Sequence, residues 1–199
     1  MKGRNFSSIS TWGDRHASEQ IVIKFHSETR HKKRLERLVD ELMASKTHDC
    51  NGNTVPLSSL VTQRDQSNLI RLLGAKGSYS SMLKLLRHFH YHLHRGAKVN
   101  NNDDKSSSAS QNIINSGVYQ YTAAMTALAQ SSNPRWKTQA VDLLDEMDDL
   151  HIPPNTYTFT AIFLAVDGGK AAVEILQRAK RYPDTVDIGT HIQFGHTCM

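Results

Sequence analysis

The sequence predicts an all-α chain, an α-solenoid of about three helix-turn-helix repeats carrying a disordered insert. Three observations lead there. Residues 118–155 and 156–184 share one pattern: an aromatic-plus-threonine opening (Tyr121-Thr122, then Phe159-Thr160), a short amphipathic stretch, a polar turn and a second amphipathic stretch. Self-similarity at a period in the thirties marks a helical-hairpin array. Apolar residues recur at three- and four-residue steps along most of the chain, the signature of one buried helix face. Glycine and proline punctuate that periodicity at Gly77, Asn133-Pro134, Ile152-Pro153-Pro154 and Gly168-Gly169, where a helix must stop or start.

In chain order, residues 1–27 read as a disordered tail or partial transit segment. Met1 to Gln20 carries Lys2, Arg4, Arg15, several serines and only the acids Asp14 and Glu19, a composition similar to an organelle transit peptide. A leading helix is expected at 28–46, with Leu35, Leu38, Val39 and Leu42 on one face. The run His31 to Arg34 opposes the dipole at its start, so fraying is expected before Leu35. Asn51-Gly52-Asn53 and Pro56 mark a loop. A degenerate hairpin is expected next, at 63–97: Leu69, Ile70 and Leu73, a turn at Gly77, then Met82, Leu85, Leu86, Phe89 and Leu93. Residues 98–117 contain Asn100 to Asp104 and Lys105 to Ser110, too polar to offset chain entropy, and are expected to be a disordered insert.

The repeat at 118–155 places Tyr121, Ala124, Met125 and Leu128 on its first helix. Asn133-Pro134 is a start signal for the second, asparagine as cap and proline at the first helical position. That helix turns Ala140, Val141, Leu143, Leu144, Met147 and Leu150 inward and Asp142, Asp145, Glu146, Asp148 and Asp149 outward. The short repeat at 156–184 pairs Phe159, Ile162, Phe163 and Val166 with Ala172, Ile175, Leu176 and Ala179. Residues 185–199 read as a truncated repeat or tail, with Ile188, Ile192 and Phe194 left over.

Composition narrows the function. The 38% hydrophobic content and mean hydropathy of −0.50 suit a thin-cored array with polar inserts. No apolar run approaches the roughly 20 residues that span a bilayer, so no membrane partner is expected. Cys50 and Cys198 are no disulfide framework and no metal-ligand set. The net charge of +5 is uneven: residues 51–100 hold seven Lys/Arg against Asp65 alone, and residues 101–150 hold three against seven acids. A basic stretch beside an acidic one suggests one face for a polyanion.

Val118-Tyr-Gln-Tyr-Thr122-Ala-Ala-Met125, Ala140-Val-Asp-Leu-Leu-Asp-Glu-Met147, Ile152-Pro-Pro-Asn155 and the continuation Thr156-Tyr-Thr-Phe-Thr-Ala-Ile162 together resemble a pentatricopeptide repeat. The tetratricopeptide repeat is the competitor, but its peptide-binding hairpins lack this threonine-rich restart after the proline. The resemblance covers roughly 63–184. It implies binding of single-stranded RNA in a mitochondrion or plastid, in support of RNA processing, stability or translation, read at about one base per repeat by two or three side chains.

Carried over, the base readers are Thr122 with Asn155, a pair that tends to adenine in the family, and Thr160 with Asp184, which leans to guanine. Ser67 is the first reader of the degenerate repeat. Apart from the resemblance, threonine and asparagine offer donors and acceptors to a base edge, and Asn155 is also a good N-cap. Lys84, Arg87 and Lys98 are placed to hold phosphates. Three repeats read too few bases for a unique site, which points to a longer array or to protein partners in an organellar ribonucleoprotein. A protein–protein adaptor and a structural ribonucleoprotein subunit are the rival readings.

Catalytic chemistry is not expected. His88, His90, His92 and His94 form two pairs on nearly opposite helix faces without a third ligand, so no metal site is predicted. Gly168-Gly169-Lys170 lacks the spacing of a phosphate loop. No serine has a placed histidine and acid, and neither cofactor nor enzyme activity is expected.

Overall fold

The computed structural model describes residues 14–48, 53–97, 107–166 and 168–182. It contains eight α-helices and one two-stranded sheet among those residues, so the all-α expectation holds in its coarse form. The chain divides into two compact units, Met1–Asn101 and Asn102–Met199.

The first unit comprises α1 (Asp14–Ser27), α2 (Lys32–Ala44), β1 (Lys46–His48), β2 (Thr54–Pro56), a 3-10 turn (Leu57–Leu60), α3 (Gln63–Ala75) and α4 (Tyr79–Ala97). Helix α1 packs on α3 and α2 on α4, while α3 and α4 form the expected hairpin. The core is the set of helical stripes: Ala17, Ile21 and Phe25 from α1; Leu35, Leu38, Val39 and Leu42 from α2; Leu69, Ile70 and Leu73 from α3; Met82, Leu85, Leu86 and Phe89 from α4. Gly77 stops α3 in a left-handed conformation (φ +66°), and Ser78 N–H reaches back to the Leu73 carbonyl at 2.9 Å. That bond satisfies an end carbonyl, and glycine takes the conformation without steric cost.

The second unit comprises α5 (Ser107–Ala129), α6 (Pro134–Asp149), α7 (Thr156–Phe163) and α8 (Gly169–Ala179). Helix α5 packs on both α6 and α7, and α7 on α8. Asn133 caps α6 by accepting from Arg135 N–H at 3.0 Å, as its sequence predicts. Helix α6 ends in the same motif as α3, with Ile152 N–H on the Met147 carbonyl at 2.9 Å, but the left-handed residue is His151 (φ 55°). Gly117 permits a close approach: a Cβ there would lie 3.0 Å from Ile152 Cδ1.

Several expectations need correction. Residues 14–27 of the expected tail are helix α1, because Ala17, Ile21 and Phe25 at four-residue spacing pack under α3. Exposed Ile23 and the polar residues around it weakened that stripe in the sequence. The leading helix expected at 28–46 begins only at Lys32, after a turn in which His31 N–H bonds the Glu28 carbonyl at 3.0 Å.

Helix α2 leads into a strand pair rather than a plain loop, with Thr47 opposite Val55. Three-residue strands are too short to show a period. Residues 107–117 of the expected insert belong to α5. Once Val118 to Leu128 is helical, each further residue adds one hydrogen bond without a new nucleus. Residues 1–13, 49–52, 98–106, 167 and 183–199 lie outside the described residues.

Candidate nucleic-acid interface

The restart at Ile152-Pro153-Pro154-Asn155 places Asn155 as the N-cap of α7, because proline ends the preceding run and asparagine accepts from the free N–H groups of the new helix. Asn155 Oδ1 accepts from Thr158 N–H at 3.0 Å, and Asn155 N–H donates to Thr158 Oγ1 at 3.2 Å. This is a reciprocal capping box. Thr158 Oγ1 also donates to Asn155 Oδ1 at 3.0 Å. From the neighbouring helix α5, Thr122 Oγ1 lies 2.8 Å from Thr158 Oγ1. The two sequence-predicted readers are therefore brought together, each bonded to one hydroxyl, and both are half-buried.

The same two helices, α5 and α7, each expose a tyrosine that the sequence pattern did not single out. Tyr119 and Tyr157 are 65% and 75% exposed. Tyr119 stands three residues before Thr122 and Tyr157 three before Thr160, a step that keeps each tyrosine on the face of its threonine. The repeat register held the signal for them: Val118-Tyr119-Gln-Tyr121-Thr122 aligns with Thr156-Tyr157-Thr-Phe159-Thr160. The other aromatic of each motif turns inward. Tyr121 is buried and donates its hydroxyl to Glu146 at 2.8 Å, and Phe159 is buried against Tyr182 at 6.1 Å between ring centroids.

The other expected site residues take different positions. Thr160 is half-buried, with its hydroxyl donating to the Thr156 carbonyl at 2.9 Å. Ser67 is buried in the first unit and donates to the Gln63 carbonyl at 3.2 Å, so it packs rather than faces a groove. Lys84 and Arg87 are exposed on α4, with Lys84 Nζ 3.9 Å from Asp40. Lys98 and Asp184 lie outside the described residues.

The acidic face of α6 is not purely a solvated surface. Asp145 and Asp148 both hold Arg178 of α8, with the Asp148 contact at 2.7 Å, and Asp148 also accepts from the Tyr182 hydroxyl at 2.6 Å. Burial works to lower the Arg178 pKa, but the hydrogen bonds it donates to Asp148 and Asp145, with the charges of those carboxylates, outweigh it and leave it raised. Burial, helped by the bond to Asp148, raises that of Tyr182. These contacts join α6 to α8.

In the histidine run, His88 Nε2 lies 2.7 Å from the buried Ser58 hydroxyl, and His90 is buried. Among the described residues no group of three or more His, Cys, Asp or Glu could hold a metal. No helix among them is long and apolar enough to cross a membrane. Comparisons with protein-family models, with curated proteins and with solved structures return no match to this chain.

Proposed function

We propose that this is a helical-repeat protein that binds single-stranded RNA without catalysing a reaction, with the second unit contacting bases. The observation that carries this reading is the meeting of Thr122 and Asn155 on one hydroxyl, on helices that also expose Tyr119 and Tyr157. Side chains of that kind can bond a base edge, and an exposed aromatic ring supplies a face on which an unpaired base stacks.

The pentatricopeptide-like sequence supports the same reading and extends it to an organellar RNA in a mitochondrion or plastid, with further protein partners. Charge supports it as well. The first unit has seventeen Lys/Arg against eight Asp/Glu, so it is the part suited to phosphates, while the second has seven against eleven. Affinity gained from the first unit falls as salt rises.

The test is selection of bound oligonucleotides from a random single-stranded RNA pool, comparing wild type with Thr122→Asn. The expected result is enrichment that shifts at one base position in the variant. An unchanged profile removes Thr122 from the reader role. A chain that retains no RNA even at low salt leaves the adaptor reading in its place.

A further inference from the structure

We infer that Thr158, outside the reader pair itself, is a positioning residue that fixes which reader donates and which accepts. The inference rests on the RNA-binding reading above and comes from counting hydrogens. Thr158 Oγ1 has three neighbours within hydrogen-bond distance: Asn155 N at 3.2 Å, Asn155 Oδ1 at 3.0 Å and Thr122 Oγ1 at 2.8 Å. A backbone N–H can only donate, so it takes one lone pair of the Thr158 oxygen. The Asn155 oxygen can only accept, and it is identified as oxygen because it also receives Thr158 N–H. Thr158 has one hydrogen, and that hydrogen goes to Asn155 Oδ1. The alternative, turning it to Thr122, would leave two oxygens 3.0 Å apart with no proton between them. Thr122 must then donate its own hydrogen into the second lone pair of Thr158.

The groups left for a ligand are fixed. Thr122 has lone pairs and no hydrogen left to give, so it accepts. The Asn155 carbonyl oxygen holds two bonds already, so its side chain offers only the N–H groups of its amide. The pair presents an acceptor on α5 and a donor at the start of α7. Adenine and cytosine each present an exocyclic amine beside an accepting ring nitrogen, which matches that order. Uracil presents a ring N–H between two carbonyls and matches it only in a different pose.

The first unit shows the same joint without an open reader. Ser18 of α1 donates to Asp65 Oδ2, accepts from Thr62 N–H at 3.0 Å and is fully buried. In the second unit the threonine in that role is half-buried.

The experiment measures binding of short oligoadenylate, oligocytidylate and oligouridylate to the full chain at fixed salt. In wild type, adenylate or cytidylate is expected to bind about tenfold more tightly than uridylate. Thr158→Val removes the hydroxyl at nearly constant shape, returns the hydrogen to Thr122 and the oxygen to Asn155, and is expected to bring the ratio to within about twofold of unity. Thr158→Ser keeps the hydroxyl and is expected to restore the wild-type ratio, which separates positioning from a loss of folding. A wild-type ratio retained in Thr158→Val, or lost equally in Thr158→Ser, overturns the inference. If wild type binds none of the three, the RNA reading falls and the role of Thr158 falls with it. If wild type binds all three equally, only the inference falls.

Discussion

The two units solve one problem with similar parts and end with different surfaces. In each, a small hydroxyl residue on the leading helix reaches the capped start of the next leading helix. Ser18 meets Thr62 and Asp65, and Thr122 meets Thr158 and through it Asn155. In the first unit the N-cap N–H uses the serine oxygen, the carboxylate takes its hydrogen, and the joint is closed. In both units the cap and the residue three positions on bond each other, but in the second the N-cap N–H is also satisfied within the cap, by Thr158 Oγ1, and the neighbouring hydroxyl attaches to its outer side. The first unit carries the positive charge and one exposed tyrosine, Tyr91; the second carries two, Tyr119 and Tyr157. The joint is a packing device in both units, and in the second it leaves its hydroxyl residue half-buried rather than closed off.

The largest expected effect tests whether the units hold separate cores. Phe159 is fully buried on α7, and Phe159→Ala should cost the second unit about 3–5 kcal/mol. Hydrogen exchange should show faster opening at 118–182, with 14–91 retaining its protection. Equal loss in both would mean a single cooperative core.

The joint itself comes next. Ser18→Ala leaves the Thr62 N–H without its acceptor and should destabilise the first unit by about 1–3 kcal/mol while leaving oligonucleotide selectivity unchanged. Asn155→Ala removes the cap and should cost the second unit about 1 kcal/mol, but with loss of base selectivity. Thermal unfolding and RNA binding measured on both variants would show whether the two joints differ in role as well as in exposure.

The smallest effect compares the two helix ends. Gly77 and His151 occupy the same left-handed position after α3 and α6. Glycine adopts it freely and histidine does not, so His151→Gly should stabilise the second unit by about 0.5–1 kcal/mol. An unchanged or lower unfolding temperature would show that the histidine makes a compensating contact.

Much of this architecture was readable from particular residues. Asn133-Pro134 located the start of α6, Pro153-Pro154-Asn155 the start of α7 and Gly77 the end of α3, because capping and proline sterics act over a few residues and need no tertiary partner. The apolar stripes from Leu69 to Phe89 and from Tyr121 to Leu144 were likewise legible as three- and four-residue steps. Helix α1 was not, because Ala17 and Ile21 form a thin stripe among polar residues, and only packing on α3 makes that region a buried helix. The strand pair at 46–56 was missed for a related reason, since strands of three residues carry too few positions for a pattern.

The site divides along the same line. Thr122 and Asn155 were singled out from the sequence, and Tyr119 and Tyr157 sat in the same register unread. The amino-acid order by itself determined the local features: where helices begin and end, which faces are apolar, and where charge accumulates, since these depend on neighbours a few positions away. Only the tertiary structure decided that Ser67 is closed off, that Asp148 holds Arg178, and that Thr158 stands between Thr122 and Asn155. Those outcomes depend on distances between helices far apart in the chain, which periodicity and propensity do not encode.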